Sequence, residues 1–159
     1  MNKLQHYVSK HPRTALAVAV AVVVLVVYLR RPMVSAANAA KLAAYPDTTR
    51  HKFLALIAGI EKLGYTVTIT STWRPEIAGE PNIHFLWRAI DINVTNNATG
   101  KVYNKSTPKE EWKATKIPTL AASLDFRWGG NFTTPYVYKG VTYAGYDPIH
   151  FDLGYPAAA

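Results

Sequence analysis

The sequence predicts an α+β fold, a small, mostly antiparallel sheet with flanking helices, plus one N-terminal transmembrane helix. Three patterns predict it. Residues 15–29 form an unbroken uncharged apolar run, apolar residues recur at helical spacing across 47–63, and residues 65–73 alternate as Tyr-Thr-Val-Thr-Ile-Thr-Ser-Thr-Trp.

The apolar run is bracketed by Arg13 and by Arg30 and Arg31. Fifteen residues make roughly 22 Å of helix, short of a ~30 Å hydrocarbon core. Snorkelling arginines, with Thr14 and Tyr28 at the interface, keep spanning feasible. The expectation is an uncleaved anchor, giving a single-pass membrane protein with its C-terminal domain on the cell-wall side, or in a viral membrane. The rival is a cleaved signal peptide, with Lys3, Lys10 and Arg13 as its basic region and Ala37-Asn38-Ala39 as its cleavage site.

Residues 1–32 thus read as tail and anchor, 33–46 as a tether or short helix, and 47–159 as the globular domain. In the helix over 47–63, Phe53, Leu54, Leu56, Ile57, Ile60 and Leu63 line one face. Asp47 or Thr48 caps it and Gly64 ends it. The strand over 65–73 stops at Arg74-Pro75. Residues 76–83 read as a loop, 89–94 as a second strand, and 96–108 as a polar turn or insertion. Residues 109–124 are helical in composition, broken or restarted by Pro118. Trp128-Gly129-Gly130 marks a tight turn, 137–143 a hairpin around Lys139-Gly140, and 150–153 the last strand.

Charge and composition exclude little but point away from nucleic acid. The chain of 159 residues has a net charge of +8. Lys3, Lys10, Arg13, Arg30 and Arg31 account for most of that excess, which leaves a mildly basic globular part. Such a part suits an anionic cell wall or lipid surface. No basic helix interleaved with aromatics and no zinc-finger spacing is present. With no cysteine, disulfides and thiolate metal sites are excluded.

Chemistry concentrates in His84, Asp91 and His150, with Asp147 three positions before the last. Two imidazoles and a carboxylate suit a zinc ion that keeps a fourth position open for water, with a further carboxylate as general base. Singly, each has a plainer reading. His84 is a loop histidine, His150 a half-buried strand histidine, and Asp91 a salt-bridge partner of Arg88. Alternation turns Asp91 away from the face of Ile90 and Ile92. Asp152 reads as an ordinary strand-end residue. Trp73 and Trp128 flank the site in sequence, as aromatic walls of a cleft or as core.

The stretch Asn82-Ile-His84-Phe-Leu-Trp87-Arg-Ala89-Ile-Asp91, with Asp147-Pro-Ile-His150 much later, resembles the signature of the zinc D-Ala-D-Ala carboxypeptidase and L-alanyl-D-glutamate endopeptidase family, which includes VanX/VanY-like enzymes and phage endolysins. That signature is Ser-x-His-x-x-Gly-x-Ala-x-Asp followed by Asp/Glu-x-x-His. Ser71-Thr-Trp-Arg74 resembles the family's Ser-Gly-Tyr-Arg, and Leu124-Asp-Phe-Arg-Trp128-Gly-Gly-Asn-Phe132 its Leu-Gly-Phe-x-Trp-Gly-Gly-Asp-Trp. The matches run in order over residues 53–153.

The resemblance implies Zn2+ held by His84, Asp91 and His150, Asp147 as general base, and Arg74 on the substrate or the oxyanion. It implies a membrane-anchored peptidase of peptidoglycan stem peptides. Its carrier is a bacterium remodelling its wall, or a phage using it for lysis or as a virion component for wall penetration. Two departures stand out: Asn82 replaces the family Ser and Trp87 the family Gly. Trp87 supports the alternative of a catalytically inactive wall-binding or structural membrane protein with the same fold.

Overall fold

The computed structural model describes residues 34–76, 83–134, 136–138, 141–143 and 145–154. The chain divides between Met33 and Val34, and all described residues lie in the second part. That part is α+β, a small antiparallel sheet with flanking helices, as the sequence predicts.

Segment 33–46 contains helix α1 (Ala36–Leu42), capped by Ser35, whose hydroxyl accepts from the Asn38 N–H. Helix α2 (Asp47–Lys62) follows Pro46, which caps it without a side-chain bond, so neither Asp47 nor Thr48 is the cap. Phe53, Leu56, Ile57 and Ile60 are fully buried along one face of α2, each worth roughly 1.5–3 kcal/mol against exposure. Gly64, at φ +88, takes the left-handed turn that sends the chain into β1 (Tyr65–Ser71).

β1 pairs antiparallel with β2 (Ala89–Asn96), with a register shift between Ile69 and Ser71 that sets Ser71 opposite Asp91. The other edge of β2 pairs with β3 (Val102–Tyr103) at one end and with the last strand, β7 (His150–Asp152), at the other. The 109–124 segment splits as expected around Pro118 into α3 (Lys109–Ala114) and α4 (Ile117–Ser123). β4 (Arg127–Trp128) pairs with β7 and completes the sheet, in the order β1-β2-β7-β4. β5 (Tyr136–Tyr138) and β6 (Val141–Tyr143) form a separate hairpin; Lys139 and Gly140 lie outside the described residues.

The sheet's alternation separates two faces. Val67, Ile69, Ile90, Ile92, Val94, Phe151 and Trp128 join α2 in the core. Thr66, Thr68 and Thr70 turn outward, and the site lies on their side of the sheet.

α1 also solves an edge problem. The outer edge of β1 has backbone groups that β2 cannot reach. Asn38, 3% exposed, donates from Nδ2 to the Val67 carbonyl at 2.9 Å and accepts from the Ile69 N–H at 3.2 Å. Lys41 donates to the Ile69 carbonyl.

The expected transmembrane helix is corrected. Among the described residues no helix is long and apolar enough to cross a membrane. The longest, α2, has 16 residues, about 24 Å, and carries Arg50, Lys52, Glu61 and Lys62. The run 15–29 on which the expectation fell lies outside the described residues. The single-pass placement, on the cell-wall side or in a viral membrane, is withdrawn with it. Ala37-Asn38-Ala39, the cleavage site of the rival reading, lies within α1.

Replacing Asn38 with Ala strands the Val67 carbonyl and the Ile69 N–H in a buried setting. Unfolding in urea should show a loss of about 2–4 kcal/mol, since an unpaired buried polar group costs ~1–3 kcal/mol.

Candidate metal centre

Register and one tight turn bring the three sequence-predicted ligands together. Asp91 and His150 are direct cross-strand partners in β2 and β7, so both side chains leave the same face. His84 comes from the 3-10 turn Ile83–Leu86 that precedes β2. All three are buried, at 1% exposure for His84, 7% for Asp91 and 8% for His150.

The facing atoms form a nearly equilateral triangle. His84 Nε2 lies 3.2 Å from His150 Nδ1 and 3.2 Å from Asp91 Oδ1, and His150 Nδ1 lies 3.0 Å from Asp91 Oδ1. Ligand atoms around tetrahedral zinc, at ~2.0–2.1 Å from the ion, stand ~3.3–3.4 Å apart. The triangle fits that spacing to within a few tenths of an ångström. These residues can hold a metal ion.

Outer partners decide which ring nitrogens carry protons. His84 Nδ1 lies 2.6 Å from the Thr72 carbonyl, which only accepts, so Nδ1 is the N–H and Nε2 presents a lone pair. His150 Nε2 lies 3.1 Å from Asp152 Oδ2, which fixes an N–H there and leaves Nδ1 as the ligating atom once its own proton is displaced. This arrangement, with each outer ring N–H held by an acceptor, is the one that orients metal-binding imidazoles.

Asp152 is therefore more than a strand-end residue. It is fully buried, and its Oδ1 accepts from Arg127 Nε at 2.7 Å and from the Gly154 N–H at 2.6 Å. Burial pushes its carboxyl up, but the bonds from His150, Arg127 and Gly154 outweigh that and hold it below the usual range. The signal was present in the sequence: His150 and Asp152 stand two apart in a strand and so share a face.

Electrostatics follow from this geometry. Burial alone would raise Asp91, yet hydrogen bonds with His150 and His84 and their charge hold it well below the ordinary carboxylate range. Burial alone would lower His150, and Asp152 and Asp91 outweigh it, pushing the imidazole up to about 9. In the metal-free protein His150 therefore holds an extra proton at neutral pH.

Asp147 is held beside the triad by backbone. Its N–H donates to the Gly129 carbonyl at 3.0 Å, its carbonyl accepts from the His150 N–H at 3.1 Å, and Trp128 Nε1 donates to Pro148 at 2.8 Å. Gly129 permits this closeness, because a Cβ there would lie 2.3 Å from the Asp147 carbonyl oxygen. Asp147 Oδ1 is buried with no hydrogen-bond partner among the described residues. Burial, then the charge of Asp91, raises the Asp147 carboxyl, against the pull of Lys105, His150 and Arg74. A carboxyl tuned upward in this way suits proton transfer.

Arg74 stands at the rim. Its guanidinium is half-exposed and lies 3.5 Å from Asp91 Oδ2. Arg88, the expected partner of Asp91, turns away and donates to the Gly154 and Leu153 carbonyls at 2.6 and 2.7 Å. Trp128 is core, at 4% exposure. Asn82 lies outside the described residues.

Trp87 has φ +58, the left-handed conformation that glycine takes most cheaply. Asp125, where the family's Leu-Gly-Phe stretch also has Gly, has φ +64. Both positions are left-handed turns held by residues that carry side chains.

No family model matches this chain, and no curated protein is similar enough to match it.

His150 sets the pH dependence of metal uptake. Its folded pKa lies above the ordinary value, so its proton stabilises the metal-free fold fully below about 6.5 and that contribution fades as pH rises through about 9. A metal ion must displace that proton. Zinc affinity of the full chain, measured by competition with a chromophoric chelator, should rise about tenfold per pH unit from pH 7 towards 9 and then level off.

Proposed function

We propose that this protein is a zinc-dependent peptidase that hydrolyses amide bonds in the stem peptides of peptidoglycan, in cell-wall degradation or remodelling. One observation carries the reading. Two imidazole nitrogens and a carboxylate oxygen converge within 3.0–3.2 Å, and the half-buried carboxyl of Asp147, with one oxygen buried and unpartnered among the described residues, lies close enough to feel the charge of Asp91 and His150. A structural zinc site closes all four positions with protein atoms, whereas a catalytic one uses three.

Zinc suits the donor set, nitrogen with oxygen in threefold array, and would supply a Lewis acid that lowers the pKa of water toward ~7. The remaining roles belong to the chain. Asp147 accepts a proton from the attacking water. It returns that proton to the departing amine nitrogen as the C–N bond breaks, so the carboxylate is regenerated. Arg74, at the rim, binds a carboxylate or the carbonyl oxygen of the substrate with its fork of donors. Asp152 and Thr72 hold the two imidazoles in the tautomers that ligation needs.

The peptidoglycan assignment rests on the family resemblance, which the left-handed backbone at Trp87 and Asp125 supports.

The test uses the full chain on purified peptidoglycan, with and without a chelator, and mass spectrometry of the products. Chelator-sensitive release of stem peptides or terminal D-Ala is expected. Asp147→Ala should lower the rate at least about 100-fold while zinc stays bound. Loss of zinc in that variant would make Asp147 a ligand instead. An intact, zinc-loaded protein that releases nothing would favour a non-catalytic wall-binding module.

A further inference from the structure

Lys105 takes no part in the roles above, yet the fold builds it in beside Asp147. β3 and β7 lie along the same edge of β2. Tyr103, the last residue of β3, stands opposite Val94. The Ile149 carbonyl, just before β7, accepts from the Ile92 N–H at 2.9 Å. The chain leaving antiparallel β3 therefore runs towards the chain that carries Asp147 into β7.

Residues 104–107 form a tight turn there. The Asn104 N–H donates to the Thr107 hydroxyl at 3.0 Å, and the Thr107 N–H donates to the Asn104 carbonyl at 3.1 Å. Trp112, fully buried, donates from Nε1 to the same carbonyl at 3.1 Å. From the other side, the Tyr146 hydroxyl donates to the Thr107 carbonyl at 2.9 Å. Tyr146 is the residue before Asp147, so this bond ties the turn that carries Lys105 to the residue that carries the proton. Lys105 is exposed, and its charge is felt at the Asp147 carboxyl together with that of Arg74.

The two cations reach the site from opposite sides. Arg74 follows β1, on one edge of β2, and Lys105 follows β3, on the other. A rim framed by two cations suits an anionic substrate. Position separates their roles. Arg74 lies 3.5 Å from Asp91 Oδ2, at the ligands, where a carbonyl oxygen would be polarised. Asp147 serves the departing amine. In an amino acid the carboxyl is bonded to the same α-carbon as that nitrogen. A cation beside Asp147 is thus placed for a carboxylate on the residue that departs.

We propose that Lys105 binds a free carboxylate on the residue whose amine departs, which leaves Arg74 to the carbonyl oxygen and makes the site select anionic leaving residues. The proposal rests on the peptidase reading and defines the leaving side of its substrate.

The zinc-loaded full chain is assayed on a stem peptide whose cut bond has been read from its products. The carboxyl of the residue after that bond is supplied either free or as the amide. The free acid should be favoured about tenfold in kcat/KM, the size of one charge-assisted contact. In Lys105→Met that preference should fall to within about twofold, through a raised KM for the acid. Lys105→Arg keeps the charge and should keep most of the preference. An unchanged preference in Lys105→Met, an equal loss on both substrates, or an Arg variant as unselective as the Met variant would overturn the proposal. Equal cleavage of acid and amide by the unmodified protein would overturn it and leave the peptidase reading intact. If no bond is cut, the peptidase reading fails, and calorimetric titration with N-acetyl-D-alanine and with its amide decides the subsite. Tighter binding of the acid that Lys105→Met abolishes supports it; no such difference, or one that persists in that variant, overturns it.

Discussion

Three lone pairs aimed at one point are the constraint on which the rest of the site depends. Asp91 Oδ1, His84 Nε2 and His150 Nδ1 face one another at 3.0–3.2 Å with little water around them. Such an arrangement is repulsive unless a positive charge joins it. In the metal-free protein a proton on His150 serves, held there by Asp152 behind the ring and Asp91 in front, which push that imidazole up to about 9. A divalent cation satisfies all three atoms at once, where a proton cannot.

The fold holds this arrangement with backbone more than with side chains. The antiparallel register of β2 and β7 makes Asp91 and His150 direct neighbours, and a one-residue slip of β7 would turn His150 into the core and part it from Asp91. The register shift at Ile69–Ser71 delivers Thr72 and Arg74 to the same end of the sheet. Gly129 lets the turn from Asp147 to His150 close against β4. Behind the ligands, Asp152 joins His150 to Arg127 and Gly154, so the last strand, the fourth strand and the metal ligand form one network. Networks of this kind are worth more intact than the sum of their bonds.

Much of this was legible in the sequence, for identifiable reasons. The alternation of residues 65–73 and the helical spacing of 47–63 exceed the noise of local preference, and both elements form, the strand ending at Ser71, two residues early, and the helix at Lys62. The ligand triad was legible because His84, Asp91 and His150 keep a recognisable spacing. Asp152 was legible only in part, because its two-residue spacing from His150 shows a shared face, but its bond to Arg127 appears only once β4 and β7 are seen side by side. Asn38 was not, because completing a sheet edge from a helix 29 residues away leaves no local pattern. In the sequence Trp87 stood out only as a departure from the family Gly. Its left-handed backbone turns the ring onto Trp73 and Tyr45. The expected membrane span came from hydropathy over a stretch outside the described residues, and no described helix supplies one.

The most direct test of the metal centre is stoichiometric. Metal-free full chain is dialysed against zinc and its bound metal counted, beside His84→Ala and, as a control, His51→Ala on α2. The geometry predicts one zinc per chain in the unmodified protein and in the control, and its loss in His84→Ala. Zinc uptake unchanged by His84→Ala, or none in the unmodified protein, would contradict it.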